Sequence, residues 1–381
     1  MLSSSDLVPS TATPCVTTIT APKGVRLVGF EPNYSPIANL RLWLIFEGDS
    51  INNRYIGNLY DVYSNSDANS YTLGKQVTIY KFNEIPQDNL TLYLGMDVQA
   101  SGNVKFFRGL VCSLYCQINL DSTYAVNALI TVSNDVDYLG KFKHFPTDSN
   151  LRIYEGQIND DHLLATVNSS NVLQTLPMAV KSSIKIYVLD KEKINMYLYT
   201  NPDDVSYSLV YAGRYINIRS FDVGQISLQQ DTFENFTTGD VYTLVNFNFN
   251  VTYFDLSGPS TTMQITVFRA GNEVFYGKYF QGNTPPSTTI KVLGDSMIVN
   301  YRTDGAATKG FRVDLLCTGE DQTSTIDPVK GPTTSALTTT KQFPPSSTRL
   351  TTEKYDTTTK SSDSQFSSIL FLFIGIFLIL W

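Results

Sequence analysis

Apolar and polar residues alternate one by one through VNFNFNVTYF, residues 245–254. Val245, Phe247, Phe249, Val251 and Tyr253 share one face of an extended chain, and Asn246, Asn248, Asn250 and Thr252 share the other. A helix repeats its faces every 3.6 residues, so a period of two commits the segment to a half-buried strand. The same pattern recurs. NLTLYLGMDV puts Leu90, Leu92, Leu94, Met96 and Val98 on one face; KINMYLYT does so with Ile194, Met196 and Leu198; DSMIVNYRT does so with Met297, Val299 and Tyr301. NLRLWLIFEG, residues 39–48, is apolar on both faces and predicts a central strand buried on each side. Helical periodicity is almost absent between Cys15 and Cys317. The 23 Tyr and 22 Phe suit strands, which favour aromatic side chains. Many short strands with turn residues between them predict an all-β chain of sandwiches or barrels.

A loose internal repeat of roughly 100 residues divides this region. One unit closes with FFRGLVC (106–112) and another with FRVDLLC (311–317), each with Phe six positions before Cys. The strand-and-turn stretches IFEGDSINNRYIGNLY and VFRAGNEVFYGKYF precede them, and LRIYEGQINDDHLLATV belongs to a middle unit. The expected organisation is a disordered N-terminus at 1–14 and modules at 15–113, 114–222 and 223–318. A Ser/Thr-rich stalk at 319–365 and an apolar tail at 366–381 follow. The stalk cannot bury a core and reads as a disordered, O-glycosylated post. Fully extended, it would reach on the order of 140 Å.

The tail SSILFLFIGIFLILW is too short for the ~20 apolar residues of a membrane helix. Small residues, a polar spacer and a short terminal apolar run together form the signal for a glycosylphosphatidylinositol anchor. Asp356, Ser361, Ser362 and Asp363 are the expected attachment residues; a short membrane tail is the alternative. The opening MLSSSDLVPSTATPCVTT holds no apolar core for a signal peptide, so the export reading expects a leader beyond Met1. Sequons for N-glycosylation stand at Asn33, Asn89, Asn168, Asn235 and Asn250. Alternation would turn Asn250 to solvent, Asn168 and Asn235 sit in polar sequence, and Pro36 follows the Asn33 sequon. Four cysteines, Cys15, Cys112, Cys116 and Cys317, predict two disulfides in an exported chain, with three connectivities open. Four buried thiols are the other reading.

Several chemistries find no support. A net charge of −7 without a basic run argues against nucleic acid, whose phosphates need clustered Lys and Arg. The Cys112-x3-Cys116 pair has no nearby His or second close pair to hold zinc. His144 and His162, the two histidines, read as structural. Gly-Asp-Ser occurs at 48–50 and 294–296, but no His follows the second copy and neither lies in a strand-turn-helix elbow, so both read as turns. Asp160-Asp161 and Asp203-Asp204 read as solvated loop acids. The expectation is therefore a protein without catalytic residues, metal or cofactor.

LRIYEGQINDDHLLATV followed by SSIKIYVLDKEKINMYLYT, and the closing SMIVNYRTDGAATKGFRVDLLC with Asp304, Gly310 and Phe311, resemble the CUB pattern. With the Thr-rich stalk and the terminal tail, the chain is similar to the nematode CUB-like surface proteins. The resemblance implies tandem β-sandwich modules of jelly-roll type, exported and membrane-anchored, in a family associated with responses to pathogens and stress. It implies a surface glycoprotein that binds an extracellular protein or glycan. A shielding coat without a specific ligand is the alternative, and a hydrolase a remote one. Exposed Tyr side chains are the expected contacts, being rigid and amphipathic. Two departures stand out. Four cysteines serve three modules. Calcium, possible in CUB modules, is unsupported: Asp304 matches one ligand position, but Arg269 and Ala270 stand where further acids would be expected.

Overall fold

The computed structural model describes residues 2–3, 15–30, 37–64, 70–81, 92–97 and 102–320, except 111, 113, 114, 134, 143, 225, 229, 230 and 259. Asn33, Asn89, the four attachment residues, the apolar tail and nearly all of the stalk lie outside these. Leu2–Ser3, in the stretch expected to lack structure, pairs antiparallel with Tyr93 and Leu92.

Apart from a two-stranded ribbon of Ser227–Leu228 with Ala307–Thr308, the described strands form three pairs of sheets, each enclosing an apolar core. In the first, one sheet runs Cys15–Thr20, Gln76–Lys81, Trp43–Glu47, Tyr55–Asn58, and the other Leu2–Ser3, Leu92–Asp97, Val25–Gly29, Ser70–Thr72. Trp43, Ile45, Val77 and Ile79 from the one meet Val25 and Leu27 from the other. The expected strand 39–48 starts only at Trp43. Ile37–Leu42 is a 3-10 turn, and Leu44 and Phe46 are half-buried, so this strand has one buried face, not two.

In the second pair, a four-stranded sheet runs Tyr115–Asp121, Lys193–Tyr199, Asp137–Leu139, Met178–Val180. A five-stranded sheet runs Leu163–Val167, Leu151–Glu155, Ile184–Leu189, Asn127–Val132, Phe106–Leu110. Here lies the strand buried on both faces. Leu129 points into the core between the two sheets, while Ala128, Ile130 and Val132 meet Val28, Phe30 and Phe107 on the other side. That is why ALITV runs without alternation, as does IKIYVL apart from Lys185, whose buried ammonium pairs with Asp137 at 3.0 Å.

In the third pair, one sheet runs Tyr215–Arg219, Gly310–Thr318, Val245–Asp255, Ile290–Gly294, and the other Thr232–Thr237, Ser296–Arg302, Thr262–Arg269, Asn272–Tyr279. Val245, Phe247 and Phe249 face inward with Met297, Val299 and Tyr301, as the alternation requires. The opposite face is less open than the pattern implies. Asn246 is buried and donates to the carbonyls of Gly319 and Glu320, and Asn250 is half-buried with its Oδ1 covered. A register shift between Val251 and Tyr253 breaks the alternation there.

The sheets do not stop at the expected module boundaries. Phe106–Leu110 pairs in parallel with Asn127–Val132, beyond the boundary at 113. Gly109 also bridges to Phe30, and a Cβ on it would stand 2.5 Å from the Gly29 carbonyl, so only glycine allows this approach. Tyr215–Arg219 pairs with Gly310–Thr318, across the boundary at 222. The two Phe-to-Cys strands are therefore not equivalent: one is a parallel edge strand, the other an interior antiparallel one.

The second and third pairs meet along a buried polar seam. Lys181 Nζ pairs with Glu234, both nearly inaccessible, and the Lys181 amide donates to Glu155 Oε1. Arg219 Nη2 lies 2.6 Å from Glu155 Oε1, an ion pair without hydrogen-bond alignment. Asp222 accepts from the Ser183 amide at 3.0 Å and hydroxyl at 2.8 Å. Arg214 Nη2 donates to the Pro177 carbonyl at 3.0 Å. Burial pushes the Glu155 carboxyl up, against the pull of Arg219 and Arg312. Breaking a buried ion pair by removing one partner leaves an uncompensated charge. Glu155→Gln should therefore cost about 3–5 kcal/mol in urea denaturation, and an unchanged midpoint would show that the pair holds nothing together.

Candidate functional site

The expected cysteine pairing is met for one pair only. Cys112 and Cys116 are bonded, four residues apart. Cys317 is a free thiol instead of a disulfide partner. It faces the core of the third pair of sheets, and burial pushes its thiol up to about 12. Cys15 opens its strand; its side chain lies outside the described residues. Of the described sequons, Asn235 is exposed and Asn168 half-buried, with Asn168 Oδ1 accepting from Ser170. Asn250, expected to face solvent, is the half-buried one noted above.

His144 is exposed, and His162 closes a 3-10 turn whose cap is Asn159. Asp203 and Asp204 occupy a similar turn capped by Asn201. The Ser50 hydroxyl accepts from the Asn52 amide and Asp49 from Asn53, so the first Gly-Asp-Ser is a turn. In the second, Asp295 caps the Ala270 amide between two strands. Among the described residues no three His, Cys, Asp or Glu side chains converge as metal ligands. No helix among them is long and apolar enough to cross a membrane.

What the fold does assemble is a row of tyrosines. The edge strand Tyr115–Asp121 lies antiparallel to Lys193–Tyr199, with Tyr115 opposite Tyr199, Gln117 opposite Tyr197, Asn119 opposite Asn195 and Asp121 opposite Lys193. Ile118, Leu120, Ile194, Met196 and Leu198 fill the core beneath, so all eight partners point outward. The Tyr115 and Tyr199 rings stack at 6.4 Å and 25°, and Tyr197 and Tyr199 at 6.4 Å and 27°. Tyr115 is 64% exposed. The Cys112–Cys116 bond brackets it and pins the start of its strand. Gly140 leaves room for Tyr199: a Cβ there would stand 3.3 Å from the ring.

The row continues inward. Tyr138 is the cross-strand partner of Tyr199 on its other side, and its ring lies 5.1 Å from that of Tyr207 in the third pair of sheets. One face thus runs from an open edge to the seam. Burial pushes the Tyr138 hydroxyl up, and the nearby Glu234 and Asp203 add to this.

The individual tyrosines were within reach of the sequence. The alternation that sends Ile194, Met196 and Leu198 inward sends Tyr197 and Tyr199 outward. Which strand lies beside them, and in what register, was not.

At the far end of the face, Lys193 Nζ meets Asp121 Oδ2 at 2.7 Å. Its hydrogen bond, followed by those from Thr123, pulls the Asp121 carboxyl from 3.8 to about 2. The sign follows: a carboxyl depressed by folding contributes its stabilisation above the ordinary range and loses it as pH falls through about 2. An NMR titration should find Asp121 ionised at pH 3, and Lys193→Gln should raise its titration midpoint.

No protein-family model matches the chain, and no curated protein matches it. Among solved structures it is similar to the CUB1-EGF-CUB2 domains of rat MASP-1, 12% identical over 55% of this chain and 99% of that one, with a TM-score of 0.21. The same domains of human MASP-1/3 are 12% identical over 54% and 100%, with a TM-score of 0.22. A protein of an archaeal virus with a triple jelly-roll fold and turret assembly is 11% identical over 82% and 85%, with a TM-score of 0.17. TM-scores this low do not establish a shared fold. The sandwich assignment rests on the sheets and cores themselves.

Proposed function

We propose that the chain is an extracellular, membrane-anchored glycoprotein that binds a glycan on its tyrosine row. The observation that supports this is the outward stack of Tyr115, Tyr199 and Tyr197 beside Gln117, Asn119 and Asn195. The C–H groups of a pyranose face carry partial positive charge and lie well against the negative face of an aromatic ring. Flanking amides both donate and accept, as sugar hydroxyls require. The outward positions of these two strands hold no aliphatic side chain, which a protein partner's apolar core would favour. A shielding coat would need no uncovered aromatic row. The family resemblance adds a role in the response to pathogens, in which the glycan would be foreign.

Binding is tested by titrating the secreted chain with soluble oligomers of N-acetylglucosamine, β-glucan and mannan. One of these should bind, and Tyr115→Ala with Tyr199→Ala should weaken it roughly tenfold, at ~0.5–1.5 kcal/mol per ring. Capture of a protein but none of the oligomers, or binding indifferent to both substitutions, would refute the reading. Anchoring is tested separately. With a working signal peptide, surface-labelled chain should pass to the medium on treatment with phosphatidylinositol-specific phospholipase C, and Asp356, Ser361, Ser362 and Asp363 are the attachment residues to substitute. Retention on the cells would assign the tail to the membrane instead.

A further inference from the structure

The strand Thr232–Thr237 of the third pair alternates cleanly. Glu234 and Phe236 turn inward and are buried; Phe233 and Asn235 turn outward and are exposed, Phe233 at 65%. Across the sheet Phe233 stands opposite Asn300, which stands opposite Gln264. Asn235 stands opposite Ile298, and that row runs on through Thr266 to Tyr276, 51% exposed. Ile298 is half-buried yet packs against none of the apolar cores. An apolar surface this open on a folded chain marks a place that something covers. In its midst, Asn235-Phe236-Thr237 is a sequon. Of the three described sequons it is the unencumbered one. Asn168 Oδ1 accepts from Ser170, and Asn250 is half-buried with its Oδ1 covered. The Asn235 side chain forms no hydrogen bond among the described residues.

We infer that an N-glycan on Asn235 is seated on this outer face, its first N-acetylglucosamine lying against the Phe233 ring. The inference rests on the secreted, glycosylated state proposed above and not on the tyrosine row. Residues two apart on a strand share a face at about 6.6 Å, so a sugar joined to the Asn235 amide nitrogen reaches the neighbouring ring. Its C–H groups meet the negative face of the aromatic ring. Asn300, directly opposite Phe233, and Gln264 beyond it are half-buried and form no side-chain hydrogen bond among the described residues. Their amides donate and accept, as the sugar's hydroxyls and N-acetyl group require. The glycan also closes an edge. Thr232–Thr237 is the outer strand of its sheet, and among the described residues Ser208 and Val210 pair with it at Thr237 only. An open edge beside an exposed aromatic invites pairing with another chain unless it is covered. Attachment selects the occupant: a second copy or a protein partner would have to seat itself on a face from which a glycan projects.

The full chain is expressed behind a working signal peptide in cells that add high-mannose glycans. Peptide mass spectrometry should find Asn235 occupied. In that chain Phe233→Ala should lower the melting temperature by about 2–4 °C. On an Asn235→Gln background, which lacks the glycan, the same substitution should cost less than half as much, because Phe233 then has only solvent over it. Endoglycosidase trimming to a single N-acetylglucosamine should leave the Phe233→Ala loss in place, which assigns the contact to the first sugar. An unoccupied Asn235 on a secreted chain glycosylated elsewhere would overturn the inference and leave the export reading standing. Equal Phe233→Ala losses with and without the glycan, or a loss that vanishes on trimming, would overturn it with the glycoprotein reading intact. A dimer of the glycosylated chain that Phe233→Ala disrupts would assign the face to a second copy instead. A secreted chain without any glycan would refute both readings. Oligomer binding is measured separately, and Asn235→Gln should leave it unchanged.

Discussion

Four charged groups, Glu155, Arg219, Lys181 and Glu234, lie out of water where the second and third pairs of sheets meet. Taking such groups from water costs several kcal/mol each, and their attraction offsets this only when the geometry is good. These pairs act together with the apolar contact of Tyr138 and Ala179 against the third core to set the relative placement of the two sandwiches. Ser183 with Asp222, and Arg214 with the Pro177 carbonyl, add directional bonds along the same line.

The joint between the first and second pairs is of another kind. Val28, Phe30, Phe107, Ile130, Ile186 and Val188 form one apolar cluster there, and a glycine at 109 lets the chain of one pair approach the strand of the other. The five-stranded sheet is therefore a middle layer with apolar contacts on both faces. The four-stranded sheet opposite it has its inner face in the core and its outer face divided. The third pair covers the part around Tyr138 and Ala179, and the part around Tyr115 is open. A single row of tyrosines crosses that boundary, which places an exposed surface and an enclosed one in direct continuity.

The disulfide and the free thiol fit this division of labour. Cys112–Cys116 lies at the start of the edge strand, with Cys112 buried in the core of the second pair and Cys116 packed against it. Cys317 lies in a core already closed by Val313, Leu315 and their neighbours, where packing suffices. Even spacing of Phe and Cys in FFRGLVC and FRVDLLC suggested equivalent strands. The sequence spacing is the same, but one segment supplies an edge and the other an interior strand.

The sequence by itself determined that the chain is built of strands, and which side chains of many strands face the core. Alternation is a local property: Met196 and Tyr197 must point opposite ways whatever else the chain does. It therefore made Ile194, Met196 and Leu198, or Met297, Val299 and Tyr301, legible as core. It misjudged Asn250, because a register shift near Val251 and the segment lying over Asn246 are not local. It did not show that Phe106–Leu110 and Tyr215–Arg219 find their partners in the following unit, because such pairing is not local either. The tertiary structure alone decided that Tyr115, Tyr199 and Tyr138 stand side by side and that Glu155 meets Arg219. Each depends on strand order and register between segments about 60 to 85 residues apart, set by the summed packing of whole sheets and written in no short stretch of the chain.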